Sequence, residues 1–335
     1  MSGPTQRIIK ANGISLNVAE QGQENQNAPL VLLCHGFPEG WYSWRHQLEA
    51  LAAAGYHAVA PDMRGYGKSD KPEAIDQYTI LHMAGDLVGV LDAYGAKDAV
   101  IVGHDWGATI AWHTARLRPD RFRAAAILSV PYRPRSPVPP TSAMPQTEDA
   151  LFYQLYFQEP GVAEAEFEAD PRKTLAAMLF GGSGEGVTTI RAMAAASGQP
   201  SKGVGMVSRK DGMLPKVQVP RPSWLSAADL DYYSGEFARS GFRGPLNYYR
   251  NIDRNWELMG AFEGVKVVVP SLYIAGDHDM VIAFPGATEQ IANMKQSVPQ
   301  LREIKMLPGC GHWTQQERPA EVNAALVEFL RSLPG

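Results

Sequence analysis

The sequence predicts an α/β fold, with a mostly parallel central sheet flanked by helices and a helical insertion. Three observations predict it. Short apolar segments alternate with segments of helical period in both halves of the chain. The stretch Val100-Ile101-Val102-Gly103-His104-Asp105-Trp106-Gly107-Ala108-Thr109-Ile110-Ala111 reads as a buried strand, a sharp turn and a helix. The alternation stops over residues 133–254 and then resumes.

Taken in order, residues 8–17 alternate polar and apolar side chains, as an edge hairpin does. Pro29-Leu30-Val31-Leu32-Leu33-Cys34 is continuously apolar, as a strand covered on both faces should be. It runs straight into His35-Gly36-Phe37-Pro38-Glu39-Gly40. Residues 41–54 have helical periodicity and stop at Gly55. Residues 57–60 read as a strand, and the turn-rich 61–70 as a loop in which Asp62-Met63-Arg64 is ion-paired. Residues 78–94 form an amphipathic helix, and residues 124–130 a further strand ending at Pro131. From 133 to 254 no buried strand is expected, only proline and glycine punctuation, aromatic-rich helices and loops. The pattern returns with a strand at 267–275, a helix at 287–297, a strand at 302–306 and a helix at 320–332. The expected organisation is a core of residues 1–132 and 255–335 and a helical cap of residues 133–254. The cap should lie over the carboxyl ends of the strands, where open α/β sheets bind ligands. Gly181-Gly182-Ser183-Gly184-Glu185-Gly186 looks like a phosphate loop, but no strand precedes it and it lacks the lysine. It is expected to be a flexible cap loop.

Composition narrows the function. The 335 residues carry a formal net charge of -4, and no basic face suggests nucleic acid as a partner. Residues 1–10 hold no apolar run long enough for a signal peptide. Pro270 interrupts the most apolar segment, so no membrane span is expected. Cys34 and Cys310 flank His35 and Gly311, so free thiols and a reducing, cytoplasmic setting are expected. Neither cofactor nor metal is expected, and the oligomeric state, monomer or homodimer, stays open.

The chemistry centres on Gly103-His104-Asp105-Trp106-Gly107. This is the pattern of a nucleophile elbow, with aspartate where serine usually stands. A carboxylate there suits attack on a saturated carbon, giving an alkyl ester. The plain alternative is a helix N-cap. Three further stretches fall just past strands: His35-Gly36-Phe37-Pro38, Gly276-Asp277-His278-Asp279 and Gly309-Cys310-Gly311-His312-Trp313. Nucleophile, acid, histidine is a known chain order for a triad on such a sheet. The acid is Asp279 or Asp277, with the Gly-x-x-Asp spacing favouring Asp279. The backbone N–H groups of Phe37 and Trp106 are candidates for an oxyanion hole.

On these residues the chain resembles the soluble epoxide hydrolases of the α/β-hydrolase fold, of mammalian, plant and bacterial type. The resemblance extends from Ile8 to Leu333. It also rests on Trp41-Tyr42-Ser43-Trp44-Arg45, Tyr153-Gln154-Leu155-Tyr156-Phe157-Gln158-Glu159-Pro160-Gly161, Arg243-Gly244-Pro245-Leu246-Asn247-Tyr248-Tyr249-Arg250-Asn251 and Gly311-His312-Trp313-Thr314-Gln315. The core motifs are shared with dehalogenases, whereas the cap motifs are specific to epoxide hydrolases. The mammalian enzymes carry an extra N-terminal phosphatase domain, which this chain is expected to lack. The resemblance implies that Asp105 attacks an epoxide carbon to form a hydroxyalkyl ester. It implies that Tyr153 and Tyr249 hold and protonate the epoxide oxygen, with Tyr156 and Tyr248 as the competing neighbours. His312 would then activate water, oriented by Asp279, and the product would be a vicinal diol. A role in detoxification is implied too. Glu39 is a candidate for positioning the water, with capping or a surface place as alternatives. His104 is expected to pack or to contact water. Phe152, Phe157, Met178, Phe180 and Trp224 make the cap apolar, which suggests a small apolar epoxide as substrate. The rivals are a haloalkane dehalogenase with the same nucleophile and a non-catalytic receptor on the same fold. Against the dehalogenase, Phe37 stands where a halide-binding Asn or similar residue would be expected.

Overall fold

The computed structural model describes residues 3–24, 28–197 and 203–334. The chain begins with an antiparallel hairpin, β1 (Thr5–Ala11) and β2 (Ile14–Gln21). Its turn residues, Asn12 and Gly13, have φ of 50° and 79°, the left-handed backbone that a two-residue hairpin requires. Next come β3 (Leu30–Cys34), β4 (His57–Pro61), β5 (Ala99–His104) and β6 (Phe122–Leu128). A small ribbon, β7 (Ala150–Phe152) and β8 (Met206–Ser208), stands apart from them. The last strands are β9 (Ser271–Gly276) and β10 (Leu301–Leu307). The central sheet runs β1-β2-β4-β3-β5-β6-β9-β10 and is parallel from β4 onward.

Helices α1 (Arg45–Ala53), α2 (Ile80–Ala93) and α3 (Trp106–Leu117) alternate with the early strands. Between β6 and β9 lie α4 (Tyr153–Tyr156), α5 (Val162–Glu168), α6 (Pro171–Gly182), α7 (Gly184–Ser197), α8 (Ala227–Ser240), α9 (Arg243–Arg250) and α10 (Ile252–Leu258). The chain closes with α11 (Ala287–Ala292), α12 (Thr314–Glu317) and α13 (Pro319–Arg331). Successive strand residues feed opposite cores, as period two demands. Val100 and Val102 pack with Leu48 and Leu51 of α1 and with Leu326 and Phe329 of α13. Ile101 points the other way, into the core that holds Leu87 and Val90 of α2 and Ile110 of α3.

β3 lies between β4 and β5, so the chain winds outward to β4 and then crosses β3 to reach β5. Such a reversal opens a crevice at the strands' carboxyl ends. Cys34 pairs with Gly103 across it. His35-Gly36 and His104-Asp105 therefore emerge side by side. The turn into α3 needs close backbone contact. A Cβ on Gly107 would lie 2.0 Å from the Cys34 carbonyl oxygen, and one on Gly103 2.2 Å from the Gly107 carbonyl oxygen.

Two expectations about residues 133–254 need correction. The ribbon of β7 and β8 adds two three-residue strands there, too short to show a period in sequence. Residues 181–186 are no flexible loop. They are the end of α6, a single break at Ser183 and the start of α7. Ser183 is buried; its hydroxyl donates to the Phe180 carbonyl (2.7 Å) and accepts from the Gly186 N–H (3.0 Å). A Cβ on Gly184 would meet the Gly309 carbonyl oxygen at 2.1 Å, so close packing accounts for that glycine.

Gly107→Ala should cost several kcal/mol, on the order of the larger point-mutant losses, in urea unfolding. Gly181→Ala, whose Cβ meets nothing within 4 Å, should stabilise by about 0.5–1 kcal/mol. Equal, small effects at the two sites would show that the elbow does not depend on the approach of Gly107 to β3.

Candidate active site

Asp105 ends β5's turn with φ 53° and ψ -118°, a strained conformation for a residue with a Cβ. The strain aims its carboxylate out of the sheet. Asp105 Oδ1 accepts the Phe37 backbone N–H (2.8 Å), and Oδ2 lies 3.4 Å from His312 Nε2. A Cβ on Gly36 would fall 2.4 Å from Asp105 Oδ1, so the loop after β3 must be glycine there. Trp106 is the first residue of α3, and its N–H has no intrahelical acceptor.

The other ring nitrogen of His312, Nδ1, lies 3.0 Å from Asp279 Oδ1. Asp279 is buried and also accepts the Val281 N–H (2.9 Å). Asp277 turns the other way, to the exposed surface, where it accepts the Gly309 N–H (2.7 Å). Tyr153 and Tyr249 line one cavity with Asp105, their ring centroids 6.0 Å apart. Their neighbours are engaged elsewhere. The Tyr156 hydroxyl donates to Glu166 (2.8 Å) and the buried Tyr248 hydroxyl to the Arg64 carbonyl (2.7 Å). The Trp106 indole packs edge-on against Tyr249 at 5.1 Å.

These positions fit what the chain is similar to. The family model for the α/β hydrolase fold matches residues 29–319. "Epoxide hydrolase A" of Mycobacterium tuberculosis is 47% identical, over 99% of each chain. The chain belongs to the epoxide hydrolase family. The solved structure of an epoxide hydrolase from an endophytic Streptomyces superposes with a TM-score of 0.90 at 44% identity, covering 99% of this chain and 96% of that one. The "Bifunctional epoxide hydrolase 2" of Rattus norvegicus is 37% identical over 96% of this chain, which spans 54% of that longer protein.

The charges of this epoxide hydrolase family site are tightly matched. Burial opposes ionisation of Asp105, but the His312 hydrogen bond and charge, His104 and the Phe37 N–H hold its pKa below the ordinary value. Burial likewise opposes a charge on His312, yet Asp279 and Asp105 together raise it well above the usual histidine range. Burial, with Asp105 nearby, raises Tyr153 and Tyr249, so both phenols stay protonated.

A second layer holds the loops. Glu39 is buried, not at the surface. Its Oε2 accepts the Gly36 N–H (2.9 Å) and faces His104 Nδ1 (2.7 Å); its Oε1 accepts from the side chains of Gln315 (2.9 Å) and Gln316 (3.2 Å). His104 Nε2 faces the His312 carbonyl (2.7 Å). Both His104 nitrogens and all four acceptor sites of Glu39 are thus in use, and neither side chain offers water a free site. The pair ties the Gly36 loop to the His312 loop. Both cysteines are buried and free. No cluster of His, Cys, Asp and Glu among the described residues is arranged to hold a metal.

Two residues escaped the sequence reading. Ser129, expected inside a strand, instead ends β6 with φ 71°. Its hydroxyl donates to Asp279 Oδ2 (2.5 Å) and lies 2.9 Å from His312 Nδ1, while the Tyr273 hydroxyl donates to its carbonyl (2.6 Å). Glu317 accepts the backbone N–H groups of Gly184 (2.9 Å), Gly311 (3.0 Å) and Trp313 (3.1 Å). Neither residue carries a motif. The apolar residues expected to line the cap do not line the cavity: Phe152, Phe157 and Phe180 are core residues, and Met178 and Trp224 pack against the core. The cavity, about 400 Å³, takes its apolar wall from Ile80, Val130, Ile252, Met259, Val281 and Phe284.

Ser129→Ala removes one donor from the buried Asp279 carboxylate. The Asp279 pKa should rise, read by carbon-13 NMR, and unfolding free energy should fall by about 1–2 kcal/mol. An unchanged Asp279 titration would show that the hydroxyl does not hold the carboxylate.

Proposed function

We propose that the protein hydrolyses an epoxide to a vicinal diol through an ester on Asp105. The observation that carries this reading is a single cavity lined by the Asp105 carboxylate and the phenols Tyr153 and Tyr249, with His312 Nε2 3.4 Å from Asp105 Oδ2. The core would be residues 1–132 and 255–335, and residues 133–254 the cap that delivers the phenols.

Asp105 is ionised without help from a base, so it can attack a saturated carbon directly. Oδ2 forms the bond to carbon while the epoxide C–O bond breaks. The departing oxygen is strongly basic, and a phenol is far more acidic than the alcohol being formed. Tyr153 and Tyr249 hold that oxygen and supply its proton. Oδ1, already on the Phe37 N–H, becomes the ester carbonyl oxygen. Water then attacks this carbonyl as His312 Nε2 takes its proton, and the N–H groups of Phe37 and Trp106 hold the oxyanion. Collapse releases the diol and restores the Asp105 carboxylate, and the proton on His312 returns to the phenols. Asp279 and Ser129 keep Nδ1 in place. A dehalogenase would use the carboxylate but would leave the two phenols without work.

The test is a panel of styrene oxide, a trans-disubstituted epoxide and 1,2-dibromoethane. Diol without halide release is expected, and halide release without diol would overturn the reading. Asp105→Ala should abolish turnover. In heavy-oxygen water, a single turnover with excess enzyme should label Asp105 and not the diol; label in the diol would mean direct attack by water.

The charges also set a pH dependence. Before reaction, His312 faces two carboxylates, and each raises its pKa. Alkylation neutralises Asp105, so the histidine pKa must fall in the ester. The acid limb of single-turnover ester hydrolysis should therefore lie at lower pH than the His312 titration seen by NMR in the free enzyme. Coincident values would remove the Asp105 charge from the control of the base.

A further inference from the structure

β10 is the last strand of the central sheet, and no strand pairs with its outer side among the described residues. An open row of N–H and C=O groups invites a further strand. The ladder decides which of them face outward. The Asp277 N–H donates to the Leu307 carbonyl (3.2 Å). In a parallel pair alternate residues bond to the same neighbour. Leu307, Lys305 and Glu303 therefore turn their backbone groups to β9, and Ile304 and Met306 turn theirs to the open edge. The ladder is regular over residues 303–307, because its register slips between Leu301 and Glu303.

The side chains of β10 sort by face. Glu303 and Lys305 lie opposite Leu272 and Ile274, which pack with α13. Ile304 and Met306 lie opposite Tyr273 and Ala275, on the other face. Ile304 and Met306 are exposed, at 37% and 39%. The side chains of Glu303 and Lys305 have no hydrogen bond or ion pair among the described residues. Arg302, by contrast, is taken up by Ser332, donating to its carbonyl and its hydroxyl at 2.8 Å each. Charge on an edge strand usually repels other strands. Here the two unmatched charges are opposite in sign and stand on either side of Ile304, so the strand is complementary to a reversed copy of itself.

We propose that β10 pairs antiparallel with β10 of a second copy of this chain about a two-fold axis at Ile304, joining the two central sheets into one. Charge sets the register. With the axis at Ile304, the two Ile304 residues exchange their N–H···O=C bonds. Glu303 then faces Lys305 of the second copy, and Lys305 faces Glu303 of the second copy, at the closely spaced positions between hydrogen-bonded pairs. Both cross-strand pairs are of opposite charge, which favours association. An axis one residue earlier would set Glu303 against Glu303, and one residue later Lys305 against Lys305. On the other face Ile304 meets Ile304, with a Met306 on either side. A strand pair this short lies below the standard interface size, so the dimer is a weak one, with a dissociation constant in the micromolar range.

Sedimentation of the full chain from about 1 µM to about 0.2 mM spans such an equilibrium. The mean mass should rise over that range from that of one chain to that of two. Glu303→Lys sets lysine against lysine at both pairs, and Lys305→Glu sets acid against acid. Each should weaken the dimer at least about tenfold. An equimolar mixture of the two single variants again brings opposite charges together and should associate as the wild type does. The double variant, Glu303→Lys with Lys305→Glu, should do the same. A wild type that stays monomeric over this range overturns the proposal. So does a dimer that both single substitutions leave intact, or one that they abolish and that neither the mixture nor the double variant restores.

Discussion

The close approach of two backbones holds this site together. Where α3 begins, Gly107 lies against the carbonyl at the end of β3, at a distance that admits no Cβ. That contact forces the chain to turn within one residue, and Asp105 takes the positive φ. The strain has a use, because a relaxed turn would carry the carboxylate away from Phe37 and His312. The same contact brings the Gly36 loop against Asp105 from the other side. Steric limits on four glycines, at 36, 103, 107 and 184, thus fix distances that no side-chain contact could set as tightly.

Charge is arranged with the same economy. One imidazole stands between the buried carboxylate of Asp279 and the half-buried one of Asp105, which makes the ring more basic and both acids stronger. Isolated, each of these groups would be driven toward its neutral form by burial. Together they hold one another ionised. In the proposed reaction the group that alkylates is also the group whose charge governs the base. The site then changes its own acid–base character without any movement of the protein.

Much of this was legible from the chain. The strand, turn and helix around Asp105 could be read because β-branched residues and glycines leave a strong local signature. Asp279 over Asp277 and Tyr249 over Tyr248 followed from spacing and resemblance, and the geometry places the favoured residue of each pair on the cavity or on His312. Ser129 was invisible, because a small polar residue at the end of an apolar strand looks like its last residue. Glu317 was invisible because its partners are three backbone N–H groups, which sequence cannot name. The glycines at 181–186 misled for a related reason. Glycine needed for close packing and glycine needed for freedom are the same letter. The apolar helices of the insertion misled in another way, since aromatic residues such as Phe157, Phe167, Phe237 and Phe242 pack into the same core as α2 and α3 and do not line the cavity.

The insertion and the core also share the machinery that holds His312. The His312 N–H donates to the Gly182 carbonyl (2.7 Å), and the Trp313 indole N–H donates to the Leu179 carbonyl (2.9 Å). Both acceptors belong to α6. Glu317 completes the seat by binding Gly184 of the insertion and Gly311 and Trp313 of the histidine loop with one carboxylate. The histidine therefore does not simply hang from the sheet. It is clamped between β9's Asp279 loop and the break between α6 and α7. The tyrosines come from other parts of the same insertion, α4 and α9. Any displacement of the insertion large enough to move the phenols must also strain the hydrogen bonds at Gly182 and Gly184. The insertion thus carries both phenols and also helps to seat His312, which the Asp279 loop of the core holds from the other side.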